Sequence, residues 1–265
     1  MFTERVTLRH LAHAAPAVAA LREPSGRDEM SVEGVDTRAA VALLERLLRS
    51  EAAAISPATR LAACDRDALL AALHRQLWGD TIRSTLACAH CGECFDLSFE
   101  LSAVQRHLAA AASGWHAASD GCVANEAGIA YRVPTAEDET GAVAEGTRDA
   151  VTALAARCGV APADVEAAAA ALESGAPIVD LELDARCTEC GNRQLTHFDL
   201  QSFLLQRILN ERPALLAEIH LLADGYGWSL RDILSLARRT RRSLASIAAD
   251  ARSRAAARAR RPLSP

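Results

Sequence analysis

Apolar and polar positions switch period along this chain, and the switches mark the elements. Over the first 35 residues Pro, Gly and charges are scattered without a sustained period, which predicts a short arm holding a strand or helix. From Thr37 a stripe of Val41, Leu43, Leu44, Leu47 and Leu48 predicts a helix. A second helix is expected from Asp65 to Trp78, burying Leu69, Leu70, Leu73 and Leu77, with Gly79 to stop it. The period then becomes two. Ile82, Ser84 and Leu86 alternate with Thr81, Arg83 and Thr85, and Phe95, Leu97, Phe99 and Leu101 alternate with Cys94, Asp96, Ser98 and Glu100. Two strands joined by a tight turn are predicted. The same frame returns later. Val179, Leu181 and Leu183 alternate with acids, and Thr196, Phe198 and Leu200 alternate with His197 and Asp199.

Between these frames a short strand is expected around Ile129, Tyr131 and Val133. Thr135 with Asp138 three residues on opens a helix as a capping box. One or two helices then run to about Arg157, and another starts at Pro162 and ends at Gly175. After Leu200 helix dominates. Phe203, Leu204, Ile208 and Leu209 form one stripe, Pro213 marks a kink or restart, and Leu215, Leu216, Ile219, Leu222 and Ala223 continue it. A turn at residues 225–228 precedes Ser229, whose spacing to Asp232 caps a helix expected to bury Leu230, Ile233, Leu234 and Leu236. Leu244, Ile247 and Ala248 carry helix into an Arg-rich end expected to fray.

Both turns inside the period-two frames are CxxCG: Cys88-Ala89-His90-Cys91-Gly92 and Cys187-Thr188-Glu189-Cys190-Gly191. Such pairs supply the thiolates of a tetrahedral zinc site. A compact ribbon separates its pairs by about 15–20 residues, whereas 95 residues intervene here. Either one site is split by an insertion or the pairs are unrelated. A weak internal repeat favours one site. Phe99-Glu100-Leu101 follows Cys91 at the same distance as Phe198-Asp199-Leu200 follows Cys190. The ligands expected are Cys88, Cys91, Cys187 and Cys190, holding a structural zinc ion with no open position for substrate. Redox-active CxxC pairs are the rival, but those favour strand-to-helix junctions, and here both pairs lie between strands. Cys94, His90 and His197 lie nearby as spectators, and Cys64, Cys122 and Cys158 read as small apolar residues.

The reading is an α+β, mostly α-helical fold. Residues 1–36 form an N-terminal arm, 37–80 helices, 81–102 and 178–200 a split zinc ribbon of two knuckle hairpins, and 103–177 an α-rich insertion. A helical C-terminal arm, 201–250, and an Arg/Ala-rich tail, 251–265, complete it.

Composition sharpens this picture in three places. Only ten aromatic residues are present, so the core is built from Leu, Val, Ile and Ala. No run is apolar enough to span a bilayer, and no basic segment followed by an apolar core opens the chain. A cytoplasmic, reducing setting is therefore expected, where eight Cys serve metal binding and burial. All 29 basic residues are Arg, and ten of them stand against two acids from Arg231 onward. An acidic body with a basic tail fits nucleic acid, a membrane surface or an acidic protein face. Arg238, Arg239, Arg241 and Arg242 follow a helix–turn–helix-like pattern. The would-be reading helix lacks Asn and Gln, which makes an acidic protein the favoured partner and nucleic acid the alternative. HExxH, GxSxG and phosphate-cradling Gly loops are absent, so no catalytic residue is assigned and no enzyme is expected.

Four pieces in order resemble a known family. They are LLAALHRQLWGDTIRSTLACAHCGECFDLSFEL from Leu69, YRVPTAEDE from Tyr131, DLELDARCTECGNRQLTHFDLQSFL from Asp180 and EIHLLADGYGWSLRDILSL from Glu218. Together they are similar to the baseplate-protein family of T-even-type phages, as it occurs in bacterial clusters for phage-tail-like contractile injection systems. The similarity runs from about residue 60 to 247. It implies a structural or assembly component of a baseplate or its hub, partnered by other baseplate proteins, and matches the family's four Cys to Cys88, Cys91, Cys187 and Cys190. The chain departs from the family at Glu211 to Pro213 and in its Arg/Ala tail.

Overall fold

A computed structural model describes residues 4–11, 17–49, 57–111, 114–146 and 149–259. The chain opens with strands β1 (Arg5–Leu8) and β2 (Ala17–Leu21), helix α1 (Gly26–Met30), helix α2 (Thr37–Leu47) and the short strand β3 (Leu48–Arg49). These three strands form one antiparallel sheet. The N-terminal stretch is thus woven into the main core, for Leu8, Leu21 and Leu47 are fully buried there with Leu69, Leu70 and Leu73. Asp36 caps α2 by accepting from the Ala39 N–H at 2.9 Å.

Helix α3 (Ala63–Trp78) ends at Gly79, whose φ of 85° only glycine adopts freely. The first hairpin follows as β4 (Thr81–Ala87) and β5 (Cys94–Glu100), running straight into α4 (Leu101–Ala111). The second is β9 (Asp180–Arg186) and β10 (Arg193–Asp199), running into α8 (Leu200–Asn210). The two units repeat in detail. The N–H of Leu101 is held by the Asp80 carbonyl at 3.0 Å, and that of Leu200 by the Val179 carbonyl at 2.9 Å. Phe99 and Phe198 meet edge to face at 5.1 Å, and Leu101 and Leu200 are both fully buried. The bases of both hairpins therefore share one core.

The segment between the hairpins is richer in strand than its sequence predicts. A three-stranded antiparallel sheet joins β6 (Trp115–Ala117), β7 (Cys122–Asn125) and β8 (Ala130–Arg132). Only the last was expected, since strands of three or four residues are too short to show alternation. Helices α5 (Ala136–Ala144), α6 (Ala150–Arg157) and α7 (Val165–Gly175) complete the segment. Thr135 and Asp138 form the expected capping box.

The C-terminal part holds α9 (Arg212–Tyr226), α10 (Leu230–Ser235) and α11 (Arg238–Ala259). Ser229 caps α10, and Ile233 is buried beneath it, but Leu230 is exposed. In so short a helix only one side faces the body, and Leu230 lies off that side. Among the described residues, no helix is long and apolar enough to cross a membrane.

Candidate metal centre

Each CxxCG turn is shaped by its own backbone. In the first, the N–H of Cys88 is held by the Glu93 carbonyl at 2.9 Å and that of Gly92 by the Cys88 carbonyl at 2.9 Å. In the second, the N–H groups of Cys187 and Gly191 bond the carbonyls of Asn192 at 2.8 Å and Cys187 at 3.0 Å. Gly92 and Gly191 take φ of 77° and 74°, where a Cβ is strained. Both turns consequently point two thiols the same way.

The turns meet at the hairpin tips. All four sulfurs of Cys88, Cys91, Cys187 and Cys190 lie within 4.8 Å of one another, and this is the only such group of possible ligands among the described residues. The Cys88 and Cys190 sulfurs are 3.6 Å apart, and those of Cys91 and Cys187 are 3.8 Å apart. A disulfide needs about 2.05 Å. A tetrahedron with metal–sulfur bonds of about 2.3 Å has edges of about 3.8 Å. The donor set and its spacing thus fit one tetrahedral ion of zinc's size.

The electrostatics agree. Backbone N–H groups of Cys91 and His90 point at the Cys88 sulfur and pull its thiol down to about 6. At Cys91 the Glu93 N–H acts in the same sense, but desolvation and the neighbouring sulfurs outweigh it and push the thiol up to about 12. Ionisation is thus favoured at Cys88 and disfavoured at Cys91 and Cys190. A divalent cation removes that opposition and allows all four to ionise.

Two further contacts fix the tips, and neither was legible in the sequence. Gln194 on β10 reaches across to the first turn. Its Oε1 accepts from the Ala89 N–H at 2.8 Å, and its Nε2 donates to the Ala87 carbonyl at 3.1 Å. Its counterpart in the first hairpin is Phe95, which packs with Ala185 beneath buried Cys88 and Cys187. One hairpin supplies the polar clamp and the other the apolar plug. Cys94 starts β5, outside the sulfur cluster and exposed, and His90 and His197 are likewise outside it. His197 instead pairs with Asp180.

The Arg-rich helix behaves differently from its sequence expectation. Arg241, 1% exposed, binds Glu29 and Glu218, each at 2.7 Å. Arg238 bridges Glu29 at 3.2 Å and Glu211, and Arg242 bonds Glu211 at 3.0 Å and Glu218 at 3.3 Å. Burial would raise the Glu211 carboxyl, but hydrogen bonds from Arg238 and Trp78 hold it below its ordinary value. The Trp78 ring carries Arg207 on its face at 4.4 Å. The acidic face awaiting this part of the basic helix is therefore the chain's own.

Fold and site together define an α+β, mostly helical protein built on a split ribbon with a four-cysteine centre able to hold a metal ion. Compared with known proteins, the chain matches no family model, no curated protein and no solved structure.

Proposed function

We propose that this protein is a structural or assembly component of the baseplate of a phage-tail-like contractile injection system, with structural zinc at Cys88, Cys91, Cys187 and Cys190. Zinc fixes the hairpin tips, the shared core fixes their bases, and the helical surfaces dock other baseplate or hub proteins. One observation carries the reading. The pieces that resemble the baseplate family fall, in order, on joints that tie elements together. Trp78 and Asp80 close α3 and cap α4, with Ser102 Oγ donating to Asp80 at 2.5 Å. Arg132 grips Asp138 at the start of α5 at 2.7 Å. The two CxxCG turns join at the tips, and Gly227 ends α9 in the left-handed region. Residues devoted to joints serve a scaffold, and a four-thiolate shell leaves no coordination position for substrate.

The nucleic-acid alternative loses its best residues, because Arg238, Arg241 and Arg242 are already neutralised by Glu29, Glu211 and Glu218. Affinity purification of the full chain from its native host, followed by mass spectrometry, tests the proposal. Sheath, tube or spike proteins are expected to co-purify. Recovery of nucleic acid and its processing proteins, with no tail component, overturns it.

A further inference from the structure

We propose that the groove between the two hairpins takes up an extended acidic segment of a partner protein, which adds as a strand to the free edge of β4. The inference stands on the hairpins alone and does not rest on the baseplate reading.

Ladder parity shows which backbone groups are free. The hairpins form separate two-stranded sheets, so each strand has one edge without a partner strand. At the two ends of the first hairpin, the Cys88 N–H bonds the Glu93 carbonyl and the Leu101 N–H bonds the Asp80 carbonyl. Bonded and non-bonded positions alternate along an antiparallel pair. Even-numbered residues of β4 therefore bond β5, and Arg83 and Thr85 turn their N–H and C=O groups to the outer edge. Ala87 and Ala89 use that same edge. There the Gln194 amide donates to the Ala87 carbonyl at 3.1 Å and accepts from the Ala89 N–H at 2.8 Å. A side-chain amide from β10 thus stands in for a neighbouring strand at the tip. Further down, the outward groups of Arg83 and Thr85 have no backbone partner among the described residues.

Beside them runs a groove of about 650 Å³. Arg83 and Ser84 line it from β4, Phe198 and Asp199 from β10, and Phe203 and Arg207 from α8. An edge strand bordering a groove is the setting in which an extended peptide adds to a sheet, with backbone bonds for affinity and side chains for selectivity.

The charges in the groove select an acidic occupant. Arg83 is exposed, and neither it nor Arg207 forms an ion pair with another described residue. Arg207 rests on the Trp78 ring. Burial lowers its guanidinium from the ordinary value, Glu211 opposes this, and Arg238 and Arg242 add to it. Asp199 is the only acid lining the groove, and its carboxylate is spent on the N–H groups of Gln201 and Ser202 at the start of α8. His197, also at the groove, is paired with Asp180. Asp96 and Glu100 lie diagonally across β5 from Arg83, accept from Thr85 and Thr81, and do not line the groove. Two guanidinium groups are therefore left for carboxylates from outside. Side chains of an added strand alternate, so one segment can bring acids to them and an apolar residue to half-buried Phe203. Single-stranded nucleic acid fits less well, because no exposed ring lines the groove for bases to stack on.

Selection of short linear peptides from a displayed random library on the immobilised full chain tests the proposal. Enriched peptides should carry Asp or Glu among β-forming residues and lack Pro. A synthetic enriched peptide, followed by fluorescence polarisation, should lose about tenfold or more in affinity for Arg83→Glu, the worth of a hydrogen bond to a charged group. Thr85→Pro removes an outward N–H, leaves the β4–β5 ladder intact, and should weaken binding comparably. Arg83→Gln should weaken it less, and unchanged circular dichroism should show all three variants folded. Methylating alternate peptide amides should abolish binding in one phase and spare it in the other, since one edge of the added strand is used. Enrichment without acids, affinity unchanged in Arg83→Glu or Thr85→Pro, both methylation phases tolerated, or tighter binding of a single-stranded oligonucleotide overturns the proposal. Self-association of the full chain that Thr85→Pro abolishes also overturns it, because a second copy then fills the groove.

Discussion

The hairpin tips and the α11 arginine cluster are both polar knots set outside the main core, yet they are completed differently. At the tips four thiols converge into a donor set that fits a metal ion. In the cluster Arg238, Arg241 and Arg242 meet Glu29, Glu211 and Glu218, so the charge is closed within the molecule. The first knot holds the donor set for a closure that would come from outside the chain. The second makes a basic segment that looks available into a buried strut. Charge in a sequence thus says little about availability until its partners are placed.

The largest effect should come from breaking the tips. Cys88→Ser and Cys187→Ser lie in different hairpins, so each must abolish the same single ion if the site is shared. Structural zinc in small fingers binds with about 10–16 kcal/mol, whereas the tips' other described ties are Gln194 and a small apolar cluster of Phe95, Ala185, Leu86 and Leu97. Metal content by mass spectrometry should fall from one equivalent to none in both variants, with thermal unfolding shifted down. One full equivalent retained in either variant breaks the shared-site model.

The arginine knot should respond next. Arg241→Met removes a buried cation and leaves buried Glu29 to Arg238 alone, so the loss should stay below the about 3–5 kcal/mol of a buried charge left wholly unpaired. Its metal content should not change, which separates the two knots. Adding Glu29→Gln to Arg241→Met should recover part of the loss, measured as the urea midpoint. A metal loss in Arg241→Met would show that the knots are coupled.

What could be read beforehand follows from distance along the chain. Capping by Thr135 and Ser229, the stop at Gly79 and the CxxCG turns are local, so spacing alone announced them. The hairpin frames were legible because one face of each strand is buried. Glu29 and Arg241 are 212 positions apart, and nothing in either neighbourhood points to the other. Gln194 was invisible for the same reason, since its partners lie on the other hairpin. The first 35 residues were legible only as an arm with a strand or helix, because scattered Pro, Gly and charge hide any sustained period, though Leu8 and Leu21 end fully buried.

A smaller effect should appear in the pH dependence at the base of the second hairpin. Asp67 on α3 accepts from the Val179 N–H at 3.1 Å. The residue is partly exposed, but its carboxyl is enclosed, and desolvation outweighs that hydrogen bond and pushes it up to about 7, with nearby Asp199 and Asp180 adding to the rise. A raised folded value means the folded state holds its proton longer than the unfolded chain. The resulting stability is fully present below about 4, the ordinary carboxylate value, and is lost as pH rises through about 7. Asp67→Asn keeps an acceptor for Val179 without the charge, so it should flatten this slope and be the more stable protein at pH 8. Unfolding curves that fall equally in both proteins between pH 5 and 8 would show that Asp67 does not set it.

The smallest effect should come from Gln194→Ala, and it sharpens the contrast most. The side chain makes two hydrogen bonds to the opposite turn, each worth about 0.5–1.5 kcal/mol net. It touches no sulfur, so the ligand set survives and metal content at saturation should stay at one equivalent. What it supplies is alignment: it holds the Ala87–Ala89 backbone against β10, and with it the direction of the Cys88 sulfur. Losing an outer partner of this kind weakens metal affinity by about 10–100-fold. Competition with a chelator should therefore strip the variant sooner than wild type. Gln194→Glu keeps an acceptor for the Ala89 N–H but loses the donor to the Ala87 carbonyl and adds negative charge beside the thiolates, so it should be no better than Ala. An Ala variant that releases metal at the wild-type rate would mean that the four ligands alone align the tips, and that the external ion closes this knot without help from the chain.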